Sequence, residues 1–117
     1  MQLDGTWQMV SAELAGGAFE DEDVKDMRLI IKGNTYESHV GKDCDKGVLR
    51  IFHYDRPMGL DVIGTDGPNA GRTIFAIFEV SKESLTICYQ LEGSARPLHF
   101  ETKPGTMLFL VRYKRTA

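Results

Sequence analysis

The feature that most limits what this chain can fold into is a two-residue alternation of apolar and polar side chains, broken at short intervals by turn chemistry. Successive side chains on a strand point to opposite faces, so such alternation marks strands buried on one side. It opens in Thr6-Trp7-Gln8-Met9-Val10-Ser11-Ala12-Glu13-Leu14 and stops at Gly16-Gly17. It resumes in Arg28 to Lys32 and Thr35 to Val40, joined by Gly33-Asn34, a pair that accepts the positive φ of a hairpin turn. Gly41 to Lys46 reads as a polar loop before strands over Gly47 to His53 and Gly59 to Ile63, with Asp55-Arg56-Pro57 between them. Thr65 to Gly71 turns the chain into a strand over Thr73 to Val80, and Lys82-Glu83 turns it into Leu85 to Leu91. A stretch carrying Pro97 and Pro104 then leads to a last strand over Met107 to Tyr113.

Helix chemistry is confined to Glu20-Asp21-Glu22-Asp23-Val24-Lys25-Asp26-Met27, where acids crowd the first turn and favour the positive end of the helix dipole. At about two turns it is a connector and not a layer of the fold. Consecutive strands with short connections make a meander, whereas a Greek-key sandwich needs long crossovers. About eight strands can close on themselves and so remove the edges that an open sheet must protect. The expected fold is all-β, an antiparallel up-and-down barrel with one short helix after the first strand. The 117 residues make this a single domain over 1–117.

A formal net charge of −3 argues against nucleic acid as a partner, because that binding needs a basic footprint on the phosphate track. The basic cluster Arg112, Lys114 and Arg115 lies on the last strand, where charges commonly protect a sheet edge. Two cysteines are too few for a disulfide-built scaffold. Cys88 sits in an apolar run and Cys44 in a polar one, and both are expected as free thiols. No apolar run approaches the ~20 residues of a membrane-spanning helix. The first residues lack the basic and apolar regions of a signal peptide, so the chain as it stands is expected in the cytoplasm. Export with a leader already removed would leave the same sequence.

Gly5-Thr6-Trp7 entering the first strand resembles the Gly-x-Trp motif that opens lipocalins and related calycins. More of the chain resembles a small lipocalin-like domain family known chiefly from planctomycete bacteria, a family with no agreed biochemical function. The matching pieces are Gly5-Thr6-Trp7-Gln8 with Val10-Ser11-Ala12-Glu13, and Leu29-Ile30-Ile31-Lys32-Gly33-Asn34. Others are Thr65-Asp66-Gly67-Pro68 with Gly71-Arg72-Thr73, Ile87-Cys88-Tyr89, and Arg96-Pro97 followed by Phe100 and Lys103-Pro104-Gly105. The lipocalin resemblance implies that Trp7 closes one barrel end beneath a basic side chain of the last strand, with Arg112 and Arg115 both open as that partner.

Other motifs have plainer readings. The Gly-rich Thr65 to Thr73 could cradle phosphate, but phosphate loops feed a helix and this one feeds a strand. His39, His53 and His99 lack metal-ligand spacing, and a haem-binding barrel with one axial histidine is a remote alternative. Catalysis by Cys88, or by carboxylates such as Glu37, Glu79 and Glu101, lacks a partner base in the linear pattern, so an enzyme is disfavoured. No metal or cofactor is expected.

An eight-stranded interior is just wide enough to fill with side chains or to hold one small ligand. The first functional expectation is therefore a non-enzymatic module taking a small apolar or amphipathic molecule at one mouth. Tyr36, Phe52, Phe78, Tyr89 and Phe100 would line it, and Trp7 with Arg115 or Arg112 would close it. The alternative is a filled barrel whose outward positions on Ile74 to Val80 bind a protein partner or a second copy.

Overall fold

The computed structural model describes residues 3–116. Alternation produces nine strands: β1 (Gly5–Leu14), β2 (Gly17–Ala18), β3 (Met27–Lys32), β4 (Thr35–Val40), β5 (Asp43–Phe52), β6 (Met58–Asp66), β7 (Thr73–Val80), β8 (Ser84–Gln90) and β9 (Leu108–Arg115). Each pairs antiparallel with its neighbour in the order β2-β1-β3-β4-β5-β6-β7-β8-β9, and β1 also pairs with β9. That last ladder, from Trp7 opposite Arg115 to Leu14 opposite Phe109, closes eight strands into a barrel. The two-residue β2 only extends the turn after β1.

Three local departures from the sequence reading have physical reasons. The helix α1 (Asp21–Val24) is a single turn, because only Val24 on it finds a place in the core. The Gln8 side-chain amide donates to the carbonyls of Val24, Lys25 and Met27 at 3.3, 3.1 and 3.1 Å, tying this turn to β1. Asp43 to Lys46, read as loop, is strand, because these polar residues pair with Glu37 to Val40 across a tight turn at Gly41. A bulge between Met9 and Ser11 shifts β1 against β9. Trp7, Met9 and Ala12 are therefore buried while Val10 is exposed.

One end of the barrel is solid. Trp7, Phe78, Leu85 and Val111 are almost wholly excluded from solvent there, and the Trp7 indole N–H donates to the Leu3 carbonyl at 2.9 Å. The Arg115 guanidinium lies 4.2 Å from the Trp7 ring centroid. Its Nε donates to the Lys82 carbonyl at 2.7 Å and its Nη1 to the Asp4 carbonyl. Asp4 in turn accepts from the Gly33 backbone N–H at 2.9 Å. One tryptophan and one arginine thus tie together the chain start, two hairpin turns and the last strand. Arg112 instead lies exposed on the outer face of β9, three residues from the latch and of opposite strand parity.

The segment from Leu91 to Met107 has no regular structure and straps the outer wall. Phe100 packs on Ile77, Cys88 and Leu110 outside the barrel. Arg96 donates to the carbonyls of Leu60 and Ala76 at 3.1 and 3.0 Å, and to buried Asp61 at 2.7 Å. Its guanidinium also sits over the Phe52 and Phe75 rings, at 5.0 and 5.6 Å. The apolar outward face of β7, expected to bind a partner, is therefore covered by the chain itself.

The latch predicts a large effect from one substitution. Trp7→Ala should lower the unfolding free energy in urea by roughly 3–5 kcal/mol. An unchanged transition midpoint would remove Trp7 from the core.

Candidate functional site

The other half of the interior is open. A cavity of about 220 Å³ lies between the strands. Its outer margin is formed by residues at one set of strand ends: Met27, Val40, Asp45, Asn69, Leu91 and Phe109. All belong to the end opposite the Trp7 latch, so the mouth lies among α1, the β4–β5 turn and the β6–β7 turn. Deeper in, Met9, Leu29, Ile31, Leu49, Leu60 and Ile87 supply apolar wall.

Polar groups are few and specifically placed. Tyr36 and Ser38 alternate inward on β4, and Ser38 pairs in register with Asp45 on β5. Tyr36 lies opposite Gly47. A Cβ at Gly47 would come within 2.8 Å of the Tyr36 ring and 2.0 Å of the Ile63 carbonyl oxygen. Glycine there is what lets the phenol fold down inside the wall. Tyr36 is 5% exposed, yet its hydroxyl makes no hydrogen bond to any described residue. Among the described residues no polar side-chain atom is sealed in without a partner, so this oxygen opens onto the cavity. Burial, and secondarily the charge of Asp45, hold that phenol above its ordinary pKa.

Asp45 is itself held in place. Its Oδ1 accepts from the Asn69 backbone N–H at 2.9 Å and its Oδ2 from the Asn69 side-chain amide at 2.8 Å. A carboxylate has about four acceptor positions, so capacity remains toward the cavity. Across the barrel the Tyr89 and Tyr113 hydroxyls lie 3.1 Å apart and satisfy each other. Burial pushes Tyr113 up to about 12. Tyr89 is raised well above its usual value, chiefly by burial and then by its tyrosine neighbours. Both phenols are neutral near pH 7.

Of the residues expected to line a ligand chamber, Tyr36 and Tyr89 line this cavity. Phe78 faces inward but lies in the solid core beyond the cavity. Phe52 and Phe100 belong to the outer wall, contrary to expectation. Phe52 sits at the far end of β5 beneath Arg96, and Phe100 belongs to the strap. Of the two arginines open as the latch partner, Arg115 stacks on Trp7 and Arg112 does not.

Sequence reasoning misses Ser38, Asp45 and Asn69. Asp45 falls in a stretch that reads as loop and Asn69 in one that reads as turn; the β4–β5 register places Asp45 opposite Ser38, and Asn69 is placed by its bonds to Asp45. The hint is the hairpin itself, since Gly41 sets the pairing that brings Asp45 opposite Ser38.

No histidine lines the cavity, and among the described residues no group of three or more His, Cys, Asp and Glu could hold a metal ion. A thiol does meet a base on the outer face, where Cys44 Sγ lies 3.9 Å from His39 Nε2. Glu37 reaches the same nitrogen at 3.4 Å. A catalytic relay needs the acid on the other ring nitrogen, orienting the base toward the nucleophile. Here thiol and carboxylate compete for one site, so the set does not form a relay. Cys88 is buried beneath the strap, and burial raises its thiol.

Comparison with family models, with curated proteins and with solved structures finds no match to the chain. The site must be read from its own geometry.

The tyrosine pair sets a pH dependence. Tyr113 holds its proton more tightly folded than unfolded, so its contribution is fully present below about pH 10 and is lost as pH rises from there through about 12. Each tenfold difference in proton affinity is worth about 1.4 kcal/mol, which makes the contribution on the order of 2–3 kcal/mol. Denaturation midpoints should fall between about pH 10 and 12, and the Y89F/Y113F double variant should flatten the slope. An equally steep slope in that variant would contradict the assignment.

Proposed function

We propose that this protein is a non-enzymatic binding module of lipocalin-like kind that takes one small, compact amphipathic molecule into the open half of its barrel. The observation that carries this reading is the Tyr36 hydroxyl. It has no partner among the described residues and opens onto a cavity otherwise walled largely by apolar side chains. A hydroxyl in such surroundings bonds either water in the open cavity or the polar group of an occupant, so it offers an amphipathic occupant a specific partner. Ligand sites commonly pair an apolar wall with a few convergent polar groups in this way. The Gly5-Thr6-Trp7 opening beneath Arg115 supports kinship with calycin barrels, and the family resemblance to the planctomycete-type domains supports the same reading.

Size restricts the ligand. An engineered cavity of about 150 Å³ holds benzene, so about 220 Å³ suits a single ring with a short polar arm. A retinoid, a long fatty acid or haem would not fit, and haem would also lack an axial histidine. The protein-interaction reading loses its main support because the strap covers Phe75 and Ile77.

Phenethyl alcohol, with about nine heavy atoms, is a suitable probe and should bind by calorimetry with a Kd on the order of 0.1–1 mM. Ser38→Trp, which places an indole in the mouth, should abolish the heat of binding while the variant still melts cooperatively. Equal binding by that variant, or none by the natural protein, would overturn the proposal.

A further inference from the structure

The charge on the cavity wall is of one sign. Among its lining residues there is no lysine, arginine or histidine, and the ionisable group at the mouth is the Asp45 carboxylate. A ligand whose polar end was a carboxylate would enter without a cationic partner and would meet Asp45. Burying an unpaired charge is strongly disfavoured. An ammonium would meet the reverse situation, a fixed carboxylate with acceptor capacity to spare beside two hydroxyls.

Acids also predominate around the mouth, although Lys42 and Arg72 lie near it. The β1–β3 connection at this end carries Glu20, Asp21, Glu22, Asp23 and Asp26 against Lys25, and Lys25 is held by Glu22 at 2.7 Å. The Gly41 N–H donates to the Asp26 carbonyl at 3.4 Å, which keeps that connection against the Gly41-Lys42 turn, beyond which β5 begins with Asp43 and Asp45. Of the nearby cations, Lys46 is turned to the outer face, where it pairs with Glu37 at 3.5 Å, and Arg72, itself outside the lining, is held by the Asn69 side-chain oxygen and the Leu91 carbonyl at 3.1 and 2.7 Å. Charged clefts concentrate ligands of opposite sign.

Resting on the binding reading above, we propose that the ligand class is a primary amine carried on a small aromatic or alicyclic body. Its ammonium is received by Asp45 at the mouth, with Tyr36 and Ser38 beside it, and its ring lies against Met9, Leu29 and Leu49. The Asn69 clamp is the element that gives this site its selectivity. By donating to both carboxylate oxygens it fixes Asp45 facing the mouth, where a surface aspartate would swing free. The ammonium stays close to water at the mouth, so the pair forms without full desolvation.

The test uses three probes that share one ring: phenethylamine, phenethyl alcohol and phenylacetate, titrated into the full chain at pH 7 and low salt. The expected order is amine tightest and phenylacetate weakest, with at least a tenfold ratio between these two that narrows as salt is added. Asp45→Asn should collapse that ratio. Val40→Lys provides a second test at a rim position already 45% exposed, where folding is not at stake. It should shift preference toward phenylacetate by at least fivefold. If the alcohol binds but phenylacetate equals or exceeds the amine, the amine assignment is overturned and the binding reading stands. If none of the three binds, both fall.

Discussion

The ladder between β1 and β9 is the constraint on which the rest of the structure depends. Until these strands pair, the chain is an open meander with two long edges and no inside. Once they pair, each of the eight strands has neighbours on both sides and one face of each is committed to a shared interior. The Trp7–Arg115 stack sits at the end of that ladder, opposite pairs in register. It joins the two strands through their side chains, next to the Thr116 N–H that donates to the Thr6 carbonyl at 2.8 Å. Arg115 adds bonds to the Lys82 and Asp4 carbonyls, so the closure also organises the turns around it.

Closure leaves a division of labour along the barrel axis. Large side chains from β1, β7, β8 and β9 meet at the latch end and fill it. Toward the other end the wall positions of β3, β4, β5 and β6 carry aliphatic and hydroxyl side chains that do not reach the centre. Gly47 opens room in the wall at the level of Tyr36. The strap contributes from outside: by covering Phe75, Ile77 and Cys88 it leaves the barrel with apolar contacts on both faces of β7. The interior of that region then does not have to supply all the packing, which is compatible with a cavity behind it. Arg96 holds the strap through two carbonyl hydrogen bonds, two aromatic rings and an ion pair with a buried aspartate.

Much of this architecture is legible in the sequence because it rests on local chemistry. Gly33-Asn34 marks its hairpin unaided, and Trp7 at the head of an alternating strand marks the closed end. Other parts are not legible, each for its own reason. The bulge after Met9 changes which side chains of β1 face inward, and nothing in Val10-Ser11 signals it. Phe52 and Phe100 are aromatic like Tyr36 and Tyr89, and hydrophobicity alone cannot tell an inner wall from an outer wall covered by a strap. Asp45 is a polar residue in a polar stretch, and its position at the mouth depends on pairing with Ser38 and on a clamp from Asn69 far along the chain. Functional polar groups in a barrel are set by register, and register is a tertiary property.

The central claim is that the barrel interior is open at one end only and takes a ligand there. Methionine methyl NMR tests it most directly, because Met9 and Met27 line the cavity while Met58 and Met107 lie outside it. On titration with phenethyl alcohol, the methyl resonances of Met9 and Met27 should shift in a saturable manner, with those of Met58 and Met107 unmoved. Saturable shifts at Met58 or Met107 with Met9 and Met27 silent would place the binding surface elsewhere and contradict the account.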